Sequence, residues 1–258
     1  MLKQLSLLVV VLISLSLPGC SSTQKAQKAP ATPDLTVQVA SLNLSNLNRR
    51  LEKKDIAQFS KIIRREQIEI LAVQNITRYP GLETRIDFVK ELSSQADLRN
   101  VFGEMINNSG KQTGNAVFSS YPIRSNYNRN FEGIRSTQFE SALIAVIDGG
   151  IRDIAIISTL LPSGASADDQ SSCLKILAAM NSSENKLPTI LAGNLPVSEV
   201  ARGSFQETLS SDVQAKKIPT AVWYDGGGIL KPLTTRSVET ELGPLMIVQF
   251  GLFRQLQP

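Results

Sequence analysis

Pro188-Thr189-Ile190-Leu191-Ala192-Gly193-Asn194-Leu195-Pro196 is a short apolar run that ends in Gly-Asn-Leu-Pro. Such a run reads as a buried strand emptying into a tight turn at the edge of a site. The question it raises is whether the turn carries charged metal ligands. It presents Asn194 and Pro196, and neither is charged.

The same pattern of apolar runs and turn residues extends in both directions. Leu35 to Asn43 alternates as a strand, and Ile68 to Gln74 is a second, largely buried one. Gly114 to Ser119 is a strand after a polar loop, Asn107 to Thr113. Ser141 to Ile147 and Ile151 to Thr159 are β-rich and joined at Asp148-Gly149-Gly150, a hairpin signal. Ala221 to Tyr224, Gly228 to Leu230 and Leu245 to Phe253 close the chain as strands. Gly226-Gly227-Gly228 reads as a turn, since it lacks the lysine and the strand–loop–helix setting of a phosphate loop. Helical spacing appears at Glu52–Glu66 (Ile56, Phe59, Ile62 and Ile63 inward), Arg85–Gln95 and Asp168–Ser182 (Leu174, Leu177 and Ala178 inward). Strands dominate and helices punctuate them, so the expected class is α+β, a mixed sheet system with helices packed outside, in one domain.

The 258 residues contain no histidine. Histidine is the usual general base near neutral pH and a common transition-metal ligand. Its absence excludes Ser-His-Asp and Cys-His hydrolases and His-zinc sites. A hard-cation site made of carboxylates stays open. The charge is +4, and removing Lys3 with the leader leaves 26 basic against 23 acidic residues. Both signs are interspersed, so nucleic acid is not an expected partner.

Residues 1–19 read as a leader. Lys3 supplies the positive end, Leu5 to Leu17 is apolar but too short to span a membrane, and Leu17-Pro18-Gly19-Cys20 follows. These four residues resemble the lipobox of bacterial lipoproteins. The resemblance implies a diacylglycerol thioether on Cys20, cleavage before it, and a further acyl chain such as palmitate on the new N-terminus. Ser21 at the next position implies sorting to the outer membrane. The alternative is an ordinary secretory signal with an incidental cysteine. Residues 20–34 are a Ser-, Gln-, Lys-, Ala- and Pro-rich tether. Cys173 is the one other cysteine and reads as a buried structural thiol. Trp223 reads as core.

Residues 35–258 resemble the endonuclease/exonuclease/phosphatase superfamily. The resemblance rests on four landmarks in order: Ser41-Leu42-Asn43; Leu71-Ala72-Val73-Gln74-Asn75; Gly114-Asn115-Ala116-Val117-Phe118-Ser119-Ser120-Tyr121-Pro122-Ile123; and Gly193-Asn194-Leu195-Pro196. It implies a four-layer α/β/β/α sandwich of two mixed sheets with helices outside. It would also imply a phosphoesterase site using Mg2+ or Mn2+, held by carboxylates and assisted by histidine. Position by position, Asn43 matches the family pattern. Asn75 stands where a metal-binding glutamate is expected, Leu160 and Leu242 where histidines are, Asn194 where an aspartate is, and Pro196 where an asparagine is. Glu241 keeps an acid in the closing motif. Amides for carboxylates and leucines for histidines remove both the charge that holds a cation and the groups that move protons.

The expectation is therefore a membrane-anchored lipoprotein whose domain is a pseudoenzyme. No catalytic residues, bound metal or cofactor are expected. Its partners would be the membrane, through the lipid, and an envelope protein or anionic ligand. The leucines and Pro196 would fill the former site with apolar bulk. Competing readings are a metal-dependent phosphodiesterase or phosphatase with a rearranged site, for instance Glu241 with Asp225, and an unrelated envelope structural protein. Asn43, Asn75 and Asn194 would either line a neutral polar pocket or satisfy loop backbone. Arg135, Arg152 and Arg236 singly read as solvated surface.

Overall fold

The computed structural model describes residues 32–47, 49–80, 85–131, 141–161, 166–180, 187–194, 205–208 and 220–254; the side chains of 167, 170, 174, 178–180 and 194 are outside that description. The described elements lie in one compact unit, Pro33–Pro258. The leader, Cys20 and most of the tether fall outside the described residues, as do Arg135 and Pro196 and the side chains of Leu174 and Ala178. No helix among the described residues is long and apolar enough to cross a membrane.

The alternating first stretch forms β1 (Leu35–Asn43), and α1 (Lys53–Arg65) follows. In α1 the Asp55 carboxylate accepts the Glu52 backbone N–H at 2.8 Å, Ile56, Phe59 and Ile63 are buried, and Arg64 and Arg65 occupy the last turn. That is an N-terminal carboxylate, an apolar stripe and cations at the negative end of the helix dipole. Next come β2 (Ile70–Arg78) and α2 (Phe88–Ala96). The second helix begins later than its spacing suggests, because Asp87 caps it by accepting Lys90 N–H at 3.1 Å.

The polar loop read at 107–113 is instead a hairpin. β3 (Arg99–Asn108) returns as β4 (Lys111–Ser119) through Ser109 and Gly110, both at positive φ (50° and 87°), which matches a two-residue hairpin turn. β5 (Ile123–Asn130) is a polar, exposed edge strand. β6 (Ser141–Asp148), β7 (Asp153–Leu160), α3 (Ala167–Met180) and β8 (Thr189–Asn194) lie where the sequence pattern places them. The chain ends in β9 (Gln206–Glu207), β10 (Ala221–Asp225), β11 (Leu230–Thr240) and β12 (Gly243–Leu252). Gly226–Gly228 forms the turn after β10, and the brief strand read at Leu230 is the start of the eleven-residue β11.

Two six-stranded mixed sheets result, ordered β11-β12-β1-β2-β4-β3 and β5-β6-β7-β8-β10-β9. Val37, Val39, Ile70 and Ala72 of the first sheet pack against Ala145, Ile154, Ile156 and Ile190 of the second. The alternate residues Ala40, Leu42, Leu71 and Val73 pack outward with Ile56, Phe59, Phe88 and Leu92 of α1 and α2. Ile157, Leu191 and Trp223 pack outward with Cys173 and Leu177 of α3. Period-two alternation thus gives each strand two apolar faces, and the layers are α/β/β/α. Cys173 and Trp223 are buried, as expected from the sequence.

The landmark from Gly114 to Ile123 spans the whole height of the sandwich. At its far end Tyr121 Oη donates to Glu69 Oε1 at 2.6 Å, and Glu69 Oε2 accepts Gln38 N–H at 2.9 Å. Its Tyr-Pro element therefore braces the start of β2 and is remote from the strand ends described next.

Candidate functional site

β1 and β2 are parallel with Asn43 beside Gln74, and β7 and β8 are parallel with Leu160 beside Asn194. One side chain shows that all four strands end at the same edge of the sandwich. Gln74 Nε2 donates to Ser158 Oγ at 3.1 Å on β7 and to the Ala192 carbonyl at 3.3 Å on β8. Ser158 Oγ donates back to the Val73 carbonyl at 3.3 Å. Ser41 Oγ donates to Gln74 Oε1 at 3.3 Å, and the Ser41 and Thr220 hydroxyls share a hydrogen bond of 2.6 Å. The space between the sheets is thus apolar along most of its height and polar at this end. Buried amides and hydroxyls are tolerable there because they satisfy one another.

Above this polar floor sit the residues singled out from the sequence. Asn43 is buried, and its Oδ1 accepts Ser45 N–H at 2.9 Å, turning the chain at the end of β1. Asn75 is half-buried in a β-bulge, with φ of 55°, a conformation asparagine adopts more readily than most residues. Its N–H donates to Asn115 Oδ1 at 3.4 Å, and Asn115 Nδ2 donates to the Ser141 carbonyl at 2.8 Å. Leu160 is half-buried at the end of β7, backbone-paired with Asn194. Gly193 allows that pairing: a Cβ there would lie 1.7 Å from the Thr159 carbonyl oxygen.

Leu242 and Glu241 behave differently from the expectation. Leu242 is buried in the cluster between the β11–β12 hairpin and α1, with Ile56 and Phe59. Leu160 remains at the rim and belongs to none of the three apolar clusters among the described residues. Leu242 does not fill the space between the strand ends, because it packs outward on α1, whereas Leu160 shares the inward parity of Ile154, Ile156 and Ser158 on β7 and lies at the rim of that space. Glu241 is exposed, and both its oxygens accept the Gln58 side-chain amide at 2.6 and 3.2 Å when that amide is oriented nitrogen-first. Asp225 pairs with Thr189 at the start of β8, the opposite end of the strand from Asn194. Glu241 and Asp225 therefore cannot act on one ligand. Arg236 is not free surface: it forms an ion pair with Glu66, while Arg152 is exposed.

The charges at this edge are mixed, with Asp55, Glu241 and Glu52 close to Arg49. Arg49 meets Asp55 through two bonds, at 2.6 and 3.0 Å, and this pairing holds the Asp55 carboxyl below the usual carboxylate range. A cavity of about 370 Å³ opens beside Asn75. Arg49, Arg50 and Lys111 line it, with Leu47, Leu51 and Ile86 as apolar wall, and no Asp or Glu is among its described lining residues. A divalent cation needs several hard oxygens with anionic charge among them. The described residues here offer amide and hydroxyl oxygens, and nowhere among the described residues do three His, Cys, Asp or Glu side chains gather closely enough to hold a metal. Among the described residues the donor set does not fit Mg2+ or Mn2+.

Gln74, Asn115 and Ser158 were not singled out as functional in the sequence, although each is a polar residue inside an apolar run. Arg50 and Lys111 gave no signal, because they come from segments far apart in the chain.

This arrangement is the fold of the endonuclease/exonuclease/phosphatase proteins. An endonuclease/exonuclease/phosphatase from Beutenbergia cavernae superposes with a TM-score of 0.63 at 16% identity, covering 84% of this chain and 72% of that one. One from Bacteroides vulgatus gives 0.63 at 9% identity, covering 84% and 99%. D. rerio TDP2, in a complex with single-strand DNA product, gives 0.64 at 11% identity, covering 84% and 100%. No family model matches the sequence, and no curated protein matches it.

Proposed function

We propose that this chain is a non-catalytic binding module on an endonuclease/exonuclease/phosphatase fold, tethered in the bacterial envelope through lipid on Cys20. Fold alone does not carry an activity; the side chains at the site do. The observation that supports the reading is the chemistry of the strand ends. By the family resemblance, Asn75 and Asn194 take the places of anionic ligands and Leu160 that of a proton carrier, while Leu242 packs on α1. The tether rests on Leu17-Pro18-Gly19-Cys20 and the spacer after it.

The test uses the intact chain purified from membranes and reconstituted in nanodiscs. Calorimetric titration with MnCl2 is expected to give no binding, and bis(p-nitrophenyl) phosphate with Mn2+ no product above buffer. Mass spectrometry of the N-terminal peptide is expected to show an acylated Cys20. Metal-dependent hydrolysis would overturn the non-catalytic part, and an unmodified Cys20 would overturn the tether.

A further inference from the structure

The cavity beside Asn75 combines features that packing does not require. Its walls are Leu47, Leu51 and Ile86, each half-buried and so left with apolar surface facing open space. Its rim carries Arg50 and Lys111, and among the described residues neither has an ion-pair partner. Arg49, the third cation of the lining, is already matched by Asp55. Arg85 lies 5.6 Å over the ring of the cavity residue Tyr79 without itself lining the cavity. Asn75 faces this cavity with a neutral amide that can donate to an anion, where a carboxylate would repel one.

An apolar wall under cations that have no ion-pair partner among the described residues matches a ligand with an anionic head and a hydrocarbon body. We propose that this cavity binds an amphipathic anion, a monoester phosphate or carboxylate carrying an alkyl chain, directly and without a metal ion. The head meets Arg50 and Lys111 with the Asn75 amide, and the chain lies against Leu47, Leu51 and Ile86. The inference rests on the metal-free reading of the strand ends. It goes beyond that reading in naming the ligand's chemistry and the residues that would select it.

The test is calorimetric titration of the intact chain in phosphatidylcholine nanodiscs, in EDTA, with octyl phosphate, inorganic phosphate and octyl glucoside, subtracting empty discs. Octyl phosphate is expected to bind at least about tenfold more tightly than either of the others, since it alone engages both halves of the cavity. R50E/K111E is expected to weaken it by about ten- to a hundredfold, as removal of charge-assisted bonds does. I86N, which removes apolar surface without adding charge, is expected to weaken octyl phosphate without changing inorganic phosphate. Both variants alter exposed or half-buried positions, and circular dichroism confirms that they fold. Discs containing phosphatidic acid, a lipid phosphate monoester, distinguish the source: competition identifies a membrane lipid headgroup, and its absence a soluble amphiphile. Equal affinity for octyl and inorganic phosphate, or octyl phosphate binding untouched by R50E/K111E, overturns the inference. Release of phosphate from octyl phosphate upon adding Mn2+ would instead overturn the non-catalytic reading while leaving the binding result standing.

Discussion

Gln74 on β2 donates to Ser158 on β7 at 3.1 Å, so a single buried amide ties one sheet to the other beneath the candidate site. The same side chain also reaches the Ala192 carbonyl of β8 and accepts from Ser41 of β1. Four strand ends are thereby held in register by neutral hydrogen bonds. A floor of this kind keeps the shape of the site without requiring charge above it.

Replacing Gln74 by leucine keeps the bulk but leaves the Ala192 carbonyl and the Ser41 and Ser158 hydroxyls short of partners. Buried polar groups stripped of a partner cost about 1–3 kcal/mol. Q74L is expected to lose stability in that range by urea denaturation, with an unchanged m-value. A loss below the measurement error would show that water replaces the amide and that the floor is not dry.

Gly193 is expected to tolerate no side chain. A Cβ placed 1.7 Å from the Thr159 carbonyl oxygen must push β7 from β8 where they pair in parallel, and φ of 154° adds to the strain. G193A is expected to cost more than about 3 kcal/mol, in the range of overpacked cores and violated backbone positions. Thermal unfolding checks this. By contrast, a Cβ at Gly150 meets nothing within 4 Å, so only its φ of 77° should be felt in G150A.

Asp55 makes stability depend on acid. Its carboxyl is held low chiefly by the hydrogen bonds from Arg49 and also by the Glu52 N–H. A group depressed on folding stabilises the native state above its unfolded pKa, about 3.9 for aspartate, and that contribution vanishes as pH falls through the lower native value. The wild type is therefore expected to exceed D55N by about 1–2 kcal/mol near neutrality, the order of a hydrogen bond to a charged group partly screened by solvent. The difference should narrow below about pH 4, close to the aspartate reference value. Urea melts of both proteins at pH 7, 5 and 3.5 would measure it, and a gap that widened toward acid would reverse the sign of the argument.

What could be read from the sequence follows burial. Leu35–Asn43, Ser141–Asp148 and Thr189–Asn194 announce themselves because their apolar residues pack on sheet faces. β3, β5 and β11 do not. Two of them are sheet edges rich in Asn, Ser, Thr and Arg, as in Asn126-Tyr127-Asn128-Arg129-Asn130, and solvated edges need no apolar alternation. The third, β3, is also an edge, and Asn107-Asn108-Ser109-Gly110 disguises its hairpin as a loop. That Asn43, Leu160 and Asn194 close their strands follows from the apolar runs before them, whereas the bulge that holds Asn75 inside β2 gives no signal in the sequence. The role of Leu242 was not, since only the fold shows that the β11–β12 hairpin leans its tip on α1.

Restoring carboxylates alone is expected to restore no chemistry. N75E and N194D would place anionic charge at the β2 bulge and the end of β8, but Leu160 and Leu242 still carry no proton and donate no hydrogen bond. Missing general acid–base help costs a factor of about 10²–10⁴ in rate. A missing electrostatic stabiliser costs roughly another 10²–10³. A glutamate at 75 also enters a left-handed position that asparagine fits better, and it faces Arg49, Arg50 and Lys111, which compete with a metal ion for its charge. The double variant should therefore fold with slightly lowered thermal stability, gain weak Mn2+ binding at most, and hydrolyse bis(p-nitrophenyl) phosphate no faster than the parent. Its measured rate decides between a site emptied of chemistry at several positions and one that lacks only its metal ligands. Turnover from N75E/N194D alone would mean that the proton-transfer groups are supplied by residues other than 160 and 242.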